Sequence, residues 1–199
     1  MTAFTLRPTR IDDVAALPAI ERAAGQRFRD VPELAWLADS EVISVEDHLG
    51  YAGRGLSWLA LADDRPVGFI LAEAQPSSLF IVELSVHLDW QGRGLGRRLI
   101  NRVAEHARTL GLTSLTLTTF RDVPWNAPYY RRLGFEMMTT LTPEMRQAVL
   151  RLKFETPDHE KISGVEIYRA VVQGGVRTRA ELERWRAEHP LTGISEWMP

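Results

Sequence analysis

Gln91-Gly92-Arg93-Gly94-Leu95-Gly96 stands between two runs of opposite periodicity. Upstream, residues 79–87 (LFIVELSVH) read as a strand. Downstream, Leu95, Leu99, Ile100, Val103, Ala107 and Leu110 trace one face of a helix, and Gly111 follows where a C-terminal glycine belongs. A glycine-rich turn between strand and helix lets main-chain N–H groups approach an anion, and the helix N-terminus adds its positive dipole. Arg93, Arg97 and Arg98 add charge nearby. Two familiar phosphate motifs fail here. A dinucleotide fingerprint starting at Gly92 needs a glycine where Arg97 stands, and a P-loop needs Gly-Lys-Ser/Thr where Arg97-Arg98-Leu99 stands.

Toward the N-terminus, residues 56–62 and 66–73 are apolar runs separated by Asp63-Asp64-Arg65, a hairpin signature. Residues 4–7 read as a further strand. Thr9 is placed to cap a helix along which Ile11, Val14, Leu17 and Ile20 recur, with Pro18 expected to kink or shorten it. Residues 30–54 read as short helical pieces, with Ser44 and Asp47 at capping-box spacing. Toward the C-terminus, the threonine-rich residues 112–119 read as a strand, Pro128 suits the first turn of a helix ending at Gly134, and 135–141 and 164–172 read as strands. The pattern predicts an α/β fold with a mixed central sheet and helices on both faces.

The chain has 199 residues, 45% hydrophobic and 25% charged, enough for one globular domain. A net charge of −2 gives no basic footprint for nucleic acid. With no cysteine, disulfides, thiolate metal sites and a cysteine acyl-enzyme are excluded, and the His, Asp and Glu residues show no metal spacing, so no metal is expected. No window reaches the ~18 apolar residues of a membrane span, and a cytoplasmic location without membrane contact is the expectation. Residues 1–172 are read as the main domain. Residues 173–199 are read as a helical extension, in which Thr178 and Glu181 have capping-box spacing and Pro190 stops the helix.

A second block, Asn126-Ala127-Pro128-Tyr129-Tyr130-Arg131-Arg132-Leu133-Gly134-Phe135, lies one helix and one strand after the glycine loop. Gln-x-x-Gly-x-Gly followed by this block resembles the coenzyme A loop and the later tyrosine helix of the GNAT superfamily of N-acetyltransferases. The opening Leu6-Arg7-Pro8 resembles that family's first strand, so the likeness covers roughly residues 4–141. It implies a mostly antiparallel central sheet, acetyl-CoA as cosubstrate, and direct attack by an amine within a ternary complex. It also implies cofactor contacts from Gln91, Gly92, Arg93, Gly94, Leu95, Gly96 and Arg97, and from the main chain of Leu84, Ser85 and Val86.

Strand alternation places Leu79, Ile81, Glu83, Ser85 and His87 on one face and the apolar Phe80, Val82, Leu84 and Val86 on the other. An acid inside such a strand is costly unless paired or open to a cleft. The resemblance makes Glu83 the general base, acting directly or through water, and the bland alternative is a salt bridge to an arginine. Tyr130, four residues before Gly134, is by resemblance the acid that protonates the departing thiolate, and otherwise packs against the cofactor. Tyr129 points about 100° away on the helix and reads as pocket wall or core. Asn126 either contacts the pantetheine or caps the helix. His87 reads as a surface residue, and Trp90 and Trp125 as pocket lining or ordinary packing. The acceptor is a small-molecule or peptide amine of unspecified identity, with a homodimer left open. The alternatives are a noncatalytic acyl-CoA-binding or sensing protein and an acyltransferase working within a protein assembly.

Overall fold

The computed structural model describes residues 4–139 and 165–171. The chain runs through β1 (Phe4–Pro8), a 3-10 stretch (Ile11–Ala16), α1 (Leu17–Gly25), two further 3-10 segments (Gln26–Asp30 and Pro32–Asp39) and α2 (Val45–Gly53). Then come β2 (Ser57–Ala62), β3 (Arg65–Ala74), β4 (Ser78–Val86), a short turn (Leu88–Trp90) and α3 (Leu95–Thr109). β5 (Ser114–Phe120), α4 (Ala127–Arg132), β6 (Glu136–Met137) and β7 (Val165–Val171) complete the described elements. The strands form one seven-stranded sheet in the order β1-β2-β3-β4-β5-β7-β6. Every pairing is antiparallel except β4 with β5, the one pair that needs a crossover helix, α3.

Helices cover both faces, as the alternating pattern predicts. On one face Leu99, Ile100, Val103, Ala104 and Ala107 of α3 pack on Ile70, Ala72, Leu79, Ile81, Leu115 and Leu117, with Phe135 and Tyr168 completing that core. On the other, Leu17 and Ile20 of α1 pack on Leu59, Leu61, Phe69 and Leu71. The burial of these side chains holds the layers together at roughly 1.5–3 kcal/mol each. Tight ends fix the elements. Asp63 and Asp64 both take left-handed φ (46° and 63°), the geometry a two-residue hairpin turn requires. Ser44 accepts the Asp47 N–H at 3.1 Å to cap α2. Gly111 (φ 72°) ends α3, with Leu112 N–H reaching Ala107 O at 2.9 Å.

Two expectations change. Thr9 is not a cap: its buried hydroxyl accepts from Ser57 Oγ at 2.7 Å, locking β1 to β2. The turn begins instead after Arg10, where the Asp13 carboxylate accepts the Arg10 N–H at 2.7 Å and binds both guanidinium nitrogens of Arg7 at 2.6 and 2.9 Å. Pro18 does shorten the helix, standing in the first turn of α1 where its missing N–H costs nothing. The largest change concerns β4. Leu71 pairs with Glu83 but Ala72 pairs with Ile81, so Val82 is an extra residue, a β-bulge. Leu79, Ile81, Leu84 and Val86 therefore all pack on the α3 side, while Val82 joins the α1 side. The simple alternation over residues 79–87 is wrong past Ile81, because one inserted residue flips every later side chain to the opposite face.

Among the described residues no helix is long and apolar enough to cross a membrane. The 173–199 extension, its capping box and the predicted strand end at 140–141 lie outside the described residues.

Candidate active site

The bulge opens the site. β4 and β5 pair only through Ser78–Ser114, Leu79–Leu115, Phe80–Thr116 and Ile81–Leu117. Past Ile81 the two strands part, while β4 stays paired to β3 as far as Val86 and β5 to β7 as far as Phe120. The parting leaves a cleft of about 1080 Å³ lined by residues 81–86 of β4, residues 117–120 of β5, the glycine loop, α1 and α4. His87 N–H bonds Val67 O on β3, whereas Val86 O accepts from Gln91 Nε2 at 3.0 Å on the other edge. Main-chain groups alternate along a strand. Leu84 and Val86 thus turn theirs to the open edge, and Ser85 turns its own to β3.

The glycine loop closes one end. Gly92 (φ 74°) and Gly94 (φ 78°) occupy left-handed backbone that other residues adopt only with strain, and Gly94 caps α3. Gly96 is needed for a different reason: a Cβ there would lie 2.8 Å from Tyr129 Oη. The unpaired N–H groups of the first turn of α3 point out of the helix toward the cleft. Gln91 is gripped from two sides, donating to Val86 O and accepting from Arg27 Nη1 at 2.8 Å. Arg27 also lies 4.5 Å over the Trp125 ring. The three loop arginines separate. Arg97 lines the cleft, Arg93 is stacked 4.6 Å over Trp90 and donates to Asp89 O, and Arg98 donates to Phe4 O on β1.

At the other end Glu83 faces the α1 side and is half-buried. Its Oε1 accepts from Ser85 Oγ at 2.7 Å. This partner replaces the salt bridge to an arginine considered above. Burial pushes the Glu83 carboxyl up, the hydrogen bond from Ser85 opposing it. Glu21 of α1 lines the same cleft, and its Oε2 accepts the Ile43 N–H at 3.2 Å. Burial first, and then the nearby Glu83 charge, push Glu21 up to about 8.

Tyr130 also opens on the cleft, held edge-to-face between Tyr129 (5.3 Å) and Phe135 (5.5 Å). Burial, then Tyr129 and Glu83, push its phenol far above its ordinary value, so it stays protonated. Tyr129 is pushed to about 12, mainly by burial. The Asn126 carbonyl accepts the N–H groups of Tyr129 and Tyr130 at 2.8 and 3.0 Å, while its side chain makes no cap. Of the two roles weighed for Asn126, the side-chain cap is therefore absent, and the residue lines the cleft. Trp90 and Trp125 both line it as well; His87 does not, its Nδ1 accepting the Asp89 N–H at 3.3 Å.

Glu21, Arg27 and Phe28 are site residues that the sequence reading missed. Glu21 and Arg27 sit in helical stretches where a charge looks like a solvated face, and Phe28 there looks like ordinary packing; the packing of α1 over β4, with the 3-10 segment that follows it, brings them to the cleft. Among the described residues no three His, Asp or Glu side chains are grouped to hold a metal ion.

Comparison with known proteins supplies relatives for this geometry. A family model described as "Acetyltransferase (GNAT) family" matches residues 22–135. Mycothiol acetyltransferase of Thermobifida fusca (strain YX) is 33% identical over 116 residues, covering 56% of this chain and 33% of the relative. An uncharacterized N-acetyltransferase of Bacillus subtilis (strain 168), YvbK, is 27% identical over 106 residues, covering 53% of this chain and 66% of the relative. The chain thus spans about a third of the first relative's length and about two thirds of the second's. Among solved structures, the PaiA N-acetyltransferase from Thermoplasma acidophilum in complex with coenzyme A superposes with a TM-score of 0.63 at 16% identity. That match covers 85% of this chain and 99% of the other, a likeness of fold.

Proposed function

The chain belongs to the GNAT acetyltransferase family, and from that premise we propose that it moves an acetyl group from acetyl-CoA to a primary amine by direct attack in a ternary complex. The observation that carries this reading is the cleft itself, with an anion-binding loop at one end and a half-buried carboxylate and phenol at the other. The pyrophosphate sits against the N–H groups of the Gln91–Gly96 loop, with Arg97 beside it and Arg93 contributing its main chain. The pantetheine runs along the open edge of β4, where Leu84 and Val86 present main-chain groups as a missing strand would meet them. Ser85 contributes its hydroxyl to Glu83, and Asn126 faces the cofactor arm.

The acceptor ammonium gives a proton to Glu83, whose raised pKa suits a base working near neutral pH. The freed amine attacks the thioester carbonyl, the C–N bond forms and the C–S bond breaks. Tyr130, kept protonated by burial, gives its proton to the departing thiolate, and the surplus proton on the newly acylated nitrogen returns to the phenolate, directly or through water. No acyl-enzyme is needed, consistent with a chain that has no cysteine.

The test is amine-dependent release of free thiol from acetyl-CoA across a panel of amines. Release should rise on adding acceptor, and log kcat/KM should fall on the acid side as Glu83 takes up a proton. Glu83→Gln should remove that acid limb and slow turnover by about 10²-fold or more, the usual worth of a positioned base. Acetyl-CoA binding without thiol release on any amine would replace transfer by the noncatalytic sensing reading.

A further inference from the structure

Glu21 has no part in the chemistry proposed above, yet it stands in the cleft with Glu83. On α1, Leu17 and Ile20 are buried against β2 and β3, and Glu21 follows about 100° further round the helix. Its position is held: Oε2 accepts the Ile43 N–H at 3.2 Å, leaving Oε1 without a hydrogen bond among the described residues. Glu83 is likewise tethered through Oε1 to Ser85. Two carboxylates from different elements are thus each held by one side and offered to one space.

We propose that Glu21 and Glu83 act as one acidic pair that selects acceptors whose amine has no carboxylate beside it. The proposal rests on the acetyl-transfer reading and names its substrate class: amines on neutral or cationic stems, such as alkylamines, amino amides and peptide N-termini. Burial raises both carboxyls and the Glu83 charge raises Glu21 further, so whatever negative charge the pair carries is confined to one space. An ammonium brings a positive charge and three donors to that pair. A free α-amino acid brings a carboxylate two bonds from its nitrogen, within about 4–6 Å of the pair, where like charges repel strongly.

Of the arginines that line the cleft, Arg97 and Arg132 stand beside Tyr129, toward the glycine loop. Arg27 is committed to Gln91 and the Trp125 ring. Arg22 also lines the cleft, one residue on from Glu21 and so about 100° further round the helix, and Tyr130 stands near Glu83 as a neutral phenol. Part of the wall is aromatic, with Phe28 edge-on to Phe120 at 5.8 Å and to Trp125 at 5.9 Å. Ring faces of this kind suit an apolar or cationic stem.

The experiment compares matched acceptors, alaninamide with alanine and leucinamide with leucine, by thiol release from acetyl-CoA with the full chain. Wild type should favour each amide at least tenfold in kcat/KM. Glu21→Gln should shrink that preference to about threefold or less by raising kcat/KM for the free acid, while Glu21→Asp should keep it. Because the readout is a change in ratio, the differing basicities of the amines cancel. A preference unchanged in Glu21→Gln, or a wild type that favours the free acids, overturns the proposal and leaves acetyl transfer standing. Thiol release with no acceptor at all overturns both. Should Glu21→Gln fail to fold, Glu21→Ser gives the same change in ratio to read.

Discussion

Replacing Gly96 by alanine should cost stability only because of one oxygen atom. The added Cβ would meet Tyr129 Oη at 2.8 Å, but its next neighbours, Tyr129 Cζ and Leu84 Cδ2, lie at 3.6 and 3.7 Å, ordinary contact distances. Tyr129 cannot swing aside freely, being packed edge-to-face on Tyr130. Forcing an overpacked contact of this kind costs about 1–3 kcal/mol. Against it stands a gain of up to about 1 kcal/mol, because alanine is the better helix former. Gly96→Ala should therefore lose about 0.5–2 kcal/mol in the natural background. In Tyr129→Phe the oxygen is gone, and the same change should be neutral or stabilising. The coupling between the two sites should come to about 1–2 kcal/mol. Urea unfolding followed by tryptophan fluorescence would measure it as a midpoint difference of about 0.5 M at a slope of ~3 kcal/mol/M. Calorimetric titration with coenzyme A should show weaker binding in Gly96→Ala and recovery in the double variant. Additivity of the two changes to within about 0.3–0.5 kcal/mol would mean that the phenol and the glycine do not constrain one another.

Tyr130→Phe should lower kcat by about 10²-fold, within the usual range for a positioned acid, while coenzyme A affinity stays within about twofold; rapid-quench and titration data together would check this. His48 on α2 is fully buried, neither ring nitrogen has a hydrogen-bond partner among the described residues, and it stands edge-on to Phe69 at 5.0 Å. Burial lowers its pKa, so the unfolded chain binds the extra proton more readily. Its contribution to stability should be complete above the unfolded value of ~6.5 and lost as pH falls from there to the depressed folded value. His48→Leu should flatten the unfolding midpoint over that window, and an unchanged pH dependence would exclude His48 as its source.

What could be read in the sequence follows from which features leave a local mark. α3 was legible because its buried stripe has a helical period and Gly111 must take φ 72° to end it. The hairpin at Asp63-Asp64 was legible through its turn chemistry. The bulge at Val82 left no mark, since Leu79, Phe80, Ile81 and Val82 are apolar on both phases of the strand period. Glu83 could be singled out all the same, as an acid in an apolar run, but its orientation could not. Glu21 was invisible because a glutamate after Ile20 in an amphipathic helix is what a solvent-facing position looks like. Thr9 had the right residue type for a cap, and the tertiary bond from Ser57 overrode it.

The place of β7 has a consequence for how the molecule is made. β7 lies between β5 and β6, although it is the last strand described along the chain. When a ribosome has released β5 and β6, the edge that β5 will offer to β7 is still bare from Ser114 to Phe120. At ~5–20 residues per second, synthesis of the roughly 50 residues from Phe120 to Val171 keeps that edge open for about 3–10 s. A bare strand edge is a template for any passing chain. The newborn protein therefore passes through an interval in which β5, one wall of the cleft, carries an unprotected edge on its far side, and that wall is braced only when the last described strand arrives.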